Sequence, residues 1–244
     1  MRFLCSCSAV LVLVACGGGR HDPYAYDTSR PLAFHDQGVA LSNARIAMHV
    51  VTYRGASGLV RGFLVVPRSA GRHPAVLFLH GSGGNREDFL APAAQLASHG
   101  LVTMTISQPN AAASFRPLVV NARRALDVLA ARSDVDPHEL GLVGFSLGAQ
   151  TAAILAGEER RLRALGLVAG RGVPEAIDGV RHSHADLFFQ AGRHDDHVPH
   201  AQLVALIRAA PGHPRVRWYR TGHGMSRRAF DDQLTWQAAE LGVG

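Results

Sequence analysis

Residues 140–157 read LGLVGFSLGAQTAAILAG, and this stretch decides the fold. A short apolar run (Leu140, Leu142, Val143) meets an abrupt turn, Gly144-Phe145-Ser146-Leu147-Gly148, and an Ala-rich helix follows. A serine on a strand-to-helix turn stands clear of the backbone at the carboxyl edge of a sheet. It lies at the positive end of the next helix, where backbone N–H groups are unpaired. The glycines two residues to either side follow from the same geometry, since a Cβ at either would collide where strand and helix nearly touch. An exposed hydroxyl beside N–H donors is arranged to attack a carbonyl and stabilise the resulting oxyanion. The pentad alone also describes an ordinary glycine-bracketed turn, so its surroundings must separate the two readings.

Working outward, apolar strands alternate with helices. Upstream, Ile46 to Tyr53 and Leu59 to Val66 flank Arg54-Gly55-Ala56-Ser57-Gly58, the pattern of a hairpin. PAVLFL (74–79) is a continuous apolar run, as in a strand covered on both faces, and ends in His80-Gly81-Ser82-Gly83-Gly84. A helix from Arg86 to His99, a strand from Leu101 to Ile106 and an amphipathic helix from Pro117 to Arg132 follow. The last carries Leu118, Ala122, Ala125, Leu126 and Leu129 on one stripe. Downstream, Leu165 to Ala169, Leu187 to Gln190 and Val216 to Tyr219 read as strands, with helices over 201–210 and 227–241. The alternation predicts an α/β fold, a mostly parallel sheet of about eight strands with helices on both faces. The segment 170–185 has room for one short helix and none for a large cap domain.

Four pieces then fall at the carboxyl ends of successive strands, where such sheets place ligands. Ser146 is the candidate nucleophile. His223, in Gly222-His223-Gly224 past the last strand, is the candidate general base. Asp195, in the loop Gly192 to Pro199, can orient the imidazole, and the turn His80 to Gly84 can donate a backbone N–H to the oxyanion, that of Ser82, with Leu147 N–H as the second donor. The chain order Ser, Asp, His is that of the α/β-hydrolases.

From about Ile46 to Leu241 the chain resembles the α/β-hydrolases grouped around dienelactone hydrolase and prolyl oligopeptidase. The matching segments are GFLVVP (62–67), HGSGG (80–84), DP..LGLVGFSLG (136–148), G..D..VP (192–199) and GHG (222–224). The resemblance implies a serine hydrolase with Ser146, His223 and Asp195 as a triad, Asp195 rather than Asp196 because it holds the fourth position of G-x-x-D-x-x-V-P. Dienelactone hydrolases proper carry cysteine where this chain has Ser146, so a lactone substrate does not transfer. Prolyl oligopeptidases carry a propeller domain for which 244 residues leave no room. The expected reaction is acyl transfer on carboxylic esters of small or medium acyl groups, with no cofactor and no metal. The alternatives are a peptidase or amidase of the same fold, and a non-catalytic ligand-binding lipoprotein.

Other classes fit less well. Gly81-x-Gly83 after a strand has Arg86 where a dinucleotide fingerprint needs its third glycine. His194, His197 and His200, or His182 with His184, lack the helical HExxH frame of a zinc hydrolase. The net charge of +6 comes from 25 basic residues, all arginine and scattered singly or in pairs, and aromatics are only 7%, so no nucleic-acid partner is expected.

The three cysteines are Cys5, Cys7 and Cys16, so nothing after residue 16 can form a disulfide or a thiolate site. Residues 1–15 have a basic Arg2 and an apolar run too short to span a membrane comfortably, the pattern of a signal peptide. Its end, Leu13-Val14-Ala15-Cys16-Gly17, resembles a bacterial lipobox, which implies cleavage before Cys16, its lipidation, and a cell-envelope location; the alternative is an ordinary signal peptide cleaved nearby, with Cys16 incidental. Gly17, rather than aspartate, implies the outer membrane. Residues 16–37 are polar and punctuated by Gly and Pro, and read as a lipidated cysteine and flexible tether reaching roughly 65 Å, ahead of a hydrolase domain at 38–244.

Overall fold

The computed structural model describes residues 22–109 and 114–243; the signal segment 1–15 and Cys16 lie outside them. In chain order the elements are β1 (His35–Ser42), β2 (Ile46–Arg54), β3 (Leu59–Pro67), β4 (His73–Leu79), α1 (Leu90–Ser98), β5 (Val102–Ile106), α2 (Arg116–Ala130), β6 (Val135–Phe145), α3 (Leu147–Ala156), β7 (Leu162–Val168), α4 (Pro174–Arg181), β8 (Asp186–Gly192), α5 (His200–Ala209), β9 (Arg215–Tyr219) and α6 (Arg227–Glu240). The strands form one sheet in the order β1-β2-β3-β5-β4-β6-β7-β8-β9. The hairpin β2–β3, with β1 outside it, joins antiparallel, and β3 meets β5 antiparallel. From β5 through β4 to β9 every pairing is parallel.

The strand pleat explains the two-sided core. Along β4, Ala75, Leu77 and Leu79 face a cluster that includes Val119 and Leu126 of α2, Ala149 and Ala153 of α3, and Val180 of α4. Their neighbours Val76 and Phe78 face the opposite cluster, with Leu96 of α1 and Leu234 and Trp236 of α6. A run such as PAVLFL is apolar throughout because each residue, whichever way it points, meets a helix.

Nine strands form the sheet, in keeping with the expectation of about eight, and two other expectations are corrected. The additional strand, β1, is exposed along its whole length and pairs on one side only, so HDQGVALS carries no apolar alternation to announce it. α1 starts at Leu90, four residues later than expected, because Asn85 and Glu87 close tight turns over 85–90 first. The reading of 16–37 as a tether fails for residues 22–37. The Arg54 N–H donates to the Leu32 carbonyl at 2.7 Å, and residues 22–31 are bonded to side chains of α2. The folded unit includes residue 22 onward rather than starting at 38.

Candidate active site

The turn after β6 is built as its sequence requires. Ser146 has φ +52° and ψ −111°, a left-handed conformation that side chains rarely adopt. It is held by its N–H bond to the Val168 carbonyl at 2.8 Å and by the Gln150 N–H donating to its own carbonyl at 3.0 Å. A Cβ on Gly144 would overlap the backbone of Gly148, and one on Gly148 would overlap the carbonyls of Leu79 and His80. The parallel register sets Leu79 opposite Gly144, so the turn that follows β4 arrives beside Ser146.

Two loops deliver the other groups. The segment after β8 and the segment after β9 continue side by side: Arg193 N–H donates to the Tyr219 carbonyl at 2.8 Å and His194 N–H to the Thr221 carbonyl at 3.0 Å. Gly192 permits the approach, since a Cβ there would overlap the carbonyls of Thr221 and Gly222. As a result His223 Nδ1 lies 2.9 Å from Asp195 Oδ2 and 3.1 Å from Oδ1, and its Nε2 lies 2.9 Å from Ser146 Oγ. Asp195 Oδ1 also accepts the N–H groups of His197 and Val198, both at 2.9 Å. Burial alone would raise the Asp195 carboxyl, but the bonds from His223, Val198 and His197 outweigh it and hold its pKa below the ordinary carboxylate value. An ionised Asp195 accepts only, so the imidazole proton is on Nδ1 and Nε2 is free to accept the serine hydroxyl proton. Asp196 instead pairs with the exposed His197, 2.7 Å from its Nδ1, and that bond lowers the pKa of Asp196.

Ser82 and Leu147 line the same cavity as Ser146 and His223, of about 640 Å³. Leu147 opens α3, where backbone N–H groups have no partner within the helix. The Ser82 turn is fixed by His80, 3% exposed. Its Nε2 accepts the Gln108 N–H at 2.8 Å, which places its proton on Nδ1, donated to the Gly81 carbonyl at 2.7 Å. The motif HGSGG therefore begins with a structural histidine, a role its spacing alone does not reveal.

The histidine-rich loop separates. His200 stacks on Trp218, with ring centroids 5.0 Å apart, and His197 stacks on His223 at 4.7 Å and 20°, while Phe145 packs against His223 at 5.1 Å. Among the described residues one group of metal-ligating side chains comes together, Asp195, His197 and His223. Both ring nitrogens of His223 already face Ser146 and Asp195, so an ion held by this group would compete with those two contacts. Tyr24, from the supposed tether, also lines the cavity and has no signal in the local sequence.

A parallel sheet with a serine elbow, an acid loop and a histidine loop at the carboxyl ends of its strands defines an α/β-hydrolase. The profile of the dienelactone hydrolase family matches residues 103–242. The chain belongs to the dienelactone hydrolase family and is a hydrolase acting on ester bonds. No curated protein matches the sequence. Among solved structures it is similar to an acetyl xylan esterase from Paenibacillus sp. R4, with TM-score 0.74 and 18% identity over 86% of this chain and 90% of that one. It is similar also to a cold-adapted esterase from an Arctic intertidal metagenomic library (TM-score 0.73, 15% identity, 84% and 99% covered). A dienelactone hydrolase from Anabaena variabilis ATCC 29413 gives 0.67, 21%, 80% and 96%. At these identities the likeness is one of fold.

Proposed function

We propose that the protein is a serine carboxylesterase acting on esters of small or medium acyl groups through an acyl-enzyme on Ser146. The observation that carries this is His223 lying between Ser146 Oγ and an ionised Asp195, at hydrogen-bond distance to both. His223 Nε2 takes the Ser146 proton as Oγ bonds to the ester carbonyl carbon, and the carbonyl oxygen becomes an oxyanion facing the N–H groups of Ser82 and Leu147. Collapse of the tetrahedral species breaks the carbon–oxygen bond to the alcohol, which leaves with the proton returned by His223. Water then repeats the sequence, its proton passing to His223, its oxygen joining the acyl carbon, and Ser146 regaining its hydrogen as the acid departs. Asp195 stabilises the imidazolium in each half.

The preference for modest, dissolved esters is supported by the segment between β7 and β8. α4 lies tightly on α3, since a Cβ on Gly179 would overlap the Ala153 and Ile154 carbonyls, and Ala176 and Val180 are buried beneath it. Such a helix is a fixed part of the core, and opening it as an interfacial lid would expose those residues. The names of the similar structures, esterases among them, favour esters over amides. Attachment to the cell envelope through a lipidated Cys16 is part of the same proposal and rests on the lipobox-like sequence; Cys16→Ser is expected to move the protein out of the detergent-extracted fraction. The catalytic reading is tested with p-nitrophenyl esters of increasing chain length beside peptide p-nitroanilides. Faster turnover of anilides, or a jump in rate above the solubility limit of a long-chain ester, would overturn it.

A further inference from the structure

Helix α2 grips the N-terminal segment with three arginines. Arg116 donates from Nη1 to the Pro23 carbonyl at 2.5 Å and from Nη2 to the Ala25 carbonyl at 2.6 Å. Arg123 donates to Asp22 Oδ2 at 2.6 Å and lies over the Tyr26 ring, its Cζ 5.0 Å from the centroid. Arg124, 3% exposed, donates from Nη2 to the carbonyls of Arg30 and Pro31 and from Nε to that of Arg54. The Tyr26 hydroxyl donates to Asp127 at 2.6 Å, and the Tyr24 N–H to Asp22 Oδ1 at 2.8 Å. Charge-assisted bonds to successive carbonyls fix a backbone far more firmly than a spacer needs.

The residue these bonds bracket is Tyr24. Both carbonyls beside it are held by one guanidinium, and its own N–H is satisfied locally, so its backbone has little freedom left. Its ring packs against the sheet core and lines the cavity that contains Ser146 and His223, while its hydroxyl bonds to no other described residue. We infer that Tyr24 is a specificity-determining residue, a fixed wall that limits how long a group an ester can extend from Ser146 into this cavity. The inference rests on the esterase reading and names the part that sets its size limit. Burial first, and then the carboxylate of Glu175, raise the pKa of the phenol, so the wall stays uncharged at neutral pH. Because the ring is already ordered before substrate arrives, a group too long for the cavity must displace a clamped segment, whereas one that fits meets a formed surface.

The test uses the full chain and two symmetric inhibitors, diethyl and dihexyl p-nitrophenyl phosphate, in which both arms are alike and one must enter this cavity. Ser146 Oγ bonds to phosphorus, p-nitrophenolate leaves, and His223 takes the hydroxyl proton. The burst of p-nitrophenolate gives the rate, and the mass of the dialkylphosphoryl adduct gives the site. Tyr24→Ala is expected to raise the dihexyl-to-diethyl rate ratio by about tenfold or more, the scale on which a pocket discriminates methylenes. Tyr24→Trp is expected to lower the ratio, and Tyr24→Phe, which keeps the ring, to restore the wild-type value. If Tyr24→Ala does not fold, the tryptophan variant decides. A ratio within twofold of wild type in the folded variants, with both inhibitors slowed alike, would overturn the inference and leave Tyr24 as a structural residue. Wild-type protein that forms no adduct on Ser146 with either inhibitor would instead overturn the esterase reading, and this inference with it.

Discussion

Replacing Asp195 by asparagine changes one atom and should disable the enzyme through the tautomer of His223. The Asp195 side chain is 4% exposed, and its Oδ1 already accepts two backbone N–H groups while Oδ2 faces His223 Nδ1. An asparagine has one oxygen, which the two backbone donors claim, leaving its NH₂ turned toward Nδ1. Nδ1 must then accept, the imidazole proton moves to Nε2, and Nε2 points a donor at Ser146 where an acceptor is needed. A buried acid lost in this way from an equivalent triad costs about 10⁴ in kcat, or about 5.5 kcal/mol of transition-state stabilisation at 1.36 kcal/mol per decade. Asp196 is the internal control: it is 80% exposed and touches His197, so Asp196→Asn should cost less than about tenfold, as expected of a surface change. Steady-state kcat on p-nitrophenyl acetate, with thermal unfolding to show both variants folded, is the assay. A loss below tenfold in Asp195→Asn, or an equal loss in the two variants, would refute the argument.

Ser146→Ala should lower kcat by roughly 10⁶ with an unchanged unfolding transition; retention of a tenth of the wild-type rate would exclude this serine as nucleophile. Gly148→Ala pushes a methyl into the carbonyls of Leu79 and His80, and overpacking of this kind costs about 1–3 kcal/mol, read as a Tm lowered by roughly 2–12 °C together with a fall in kcat as the elbow shifts. Alkaline pH should weaken the fold: burial first raises Tyr219 to about 12, and burial with the Asp127 bond raises Tyr26 further. Unfolded tyrosine loses its proton near pH 10, so above that value the folded chain binds more protons and stability falls as pH rises. Urea midpoints at pH 8, 10 and 11.5 should drop slightly in the lower interval and much more in the upper one, and less steeply in Tyr219→Phe.

What the sequence makes legible is what short range determines. The elbow is written in glycines two residues from Ser146, because the clash they avoid is local, and the β4 and β6 runs declare themselves by being apolar on both faces. The acid was separable from its neighbour only through the family spacing; the physical difference, two backbone donors on Asp195 and a surface partner for Asp196, appears only once the loop is folded. β1 left no periodic trace because neither of its faces is buried. The N-terminal segment carries no signal for a related reason. Its partners lie 91 to 101 residues away on α2, and most of its bonds are through backbone carbonyls, which every residue type possesses. The apolar stripe on α2 accounted for one side of that helix, yet Asn121 and Arg124 are buried as well, and the buried polar side is the sign of a second covering layer.

The clamp on α2 also sets the mechanics of attachment. With lipid on Cys16, as proposed, the anchored residue would stand only six residue steps from Asp22, a span that covalent geometry limits to about 20 Å. Asp22 is bonded to Arg123 and lies two residues before Tyr24, which lines the cavity that holds Ser146. An enzyme moored there would not sweep a wide volume of solution. Its entrance would be confined to the thin layer of water next to the headgroups, and the esters it meets would be those dissolved in that layer.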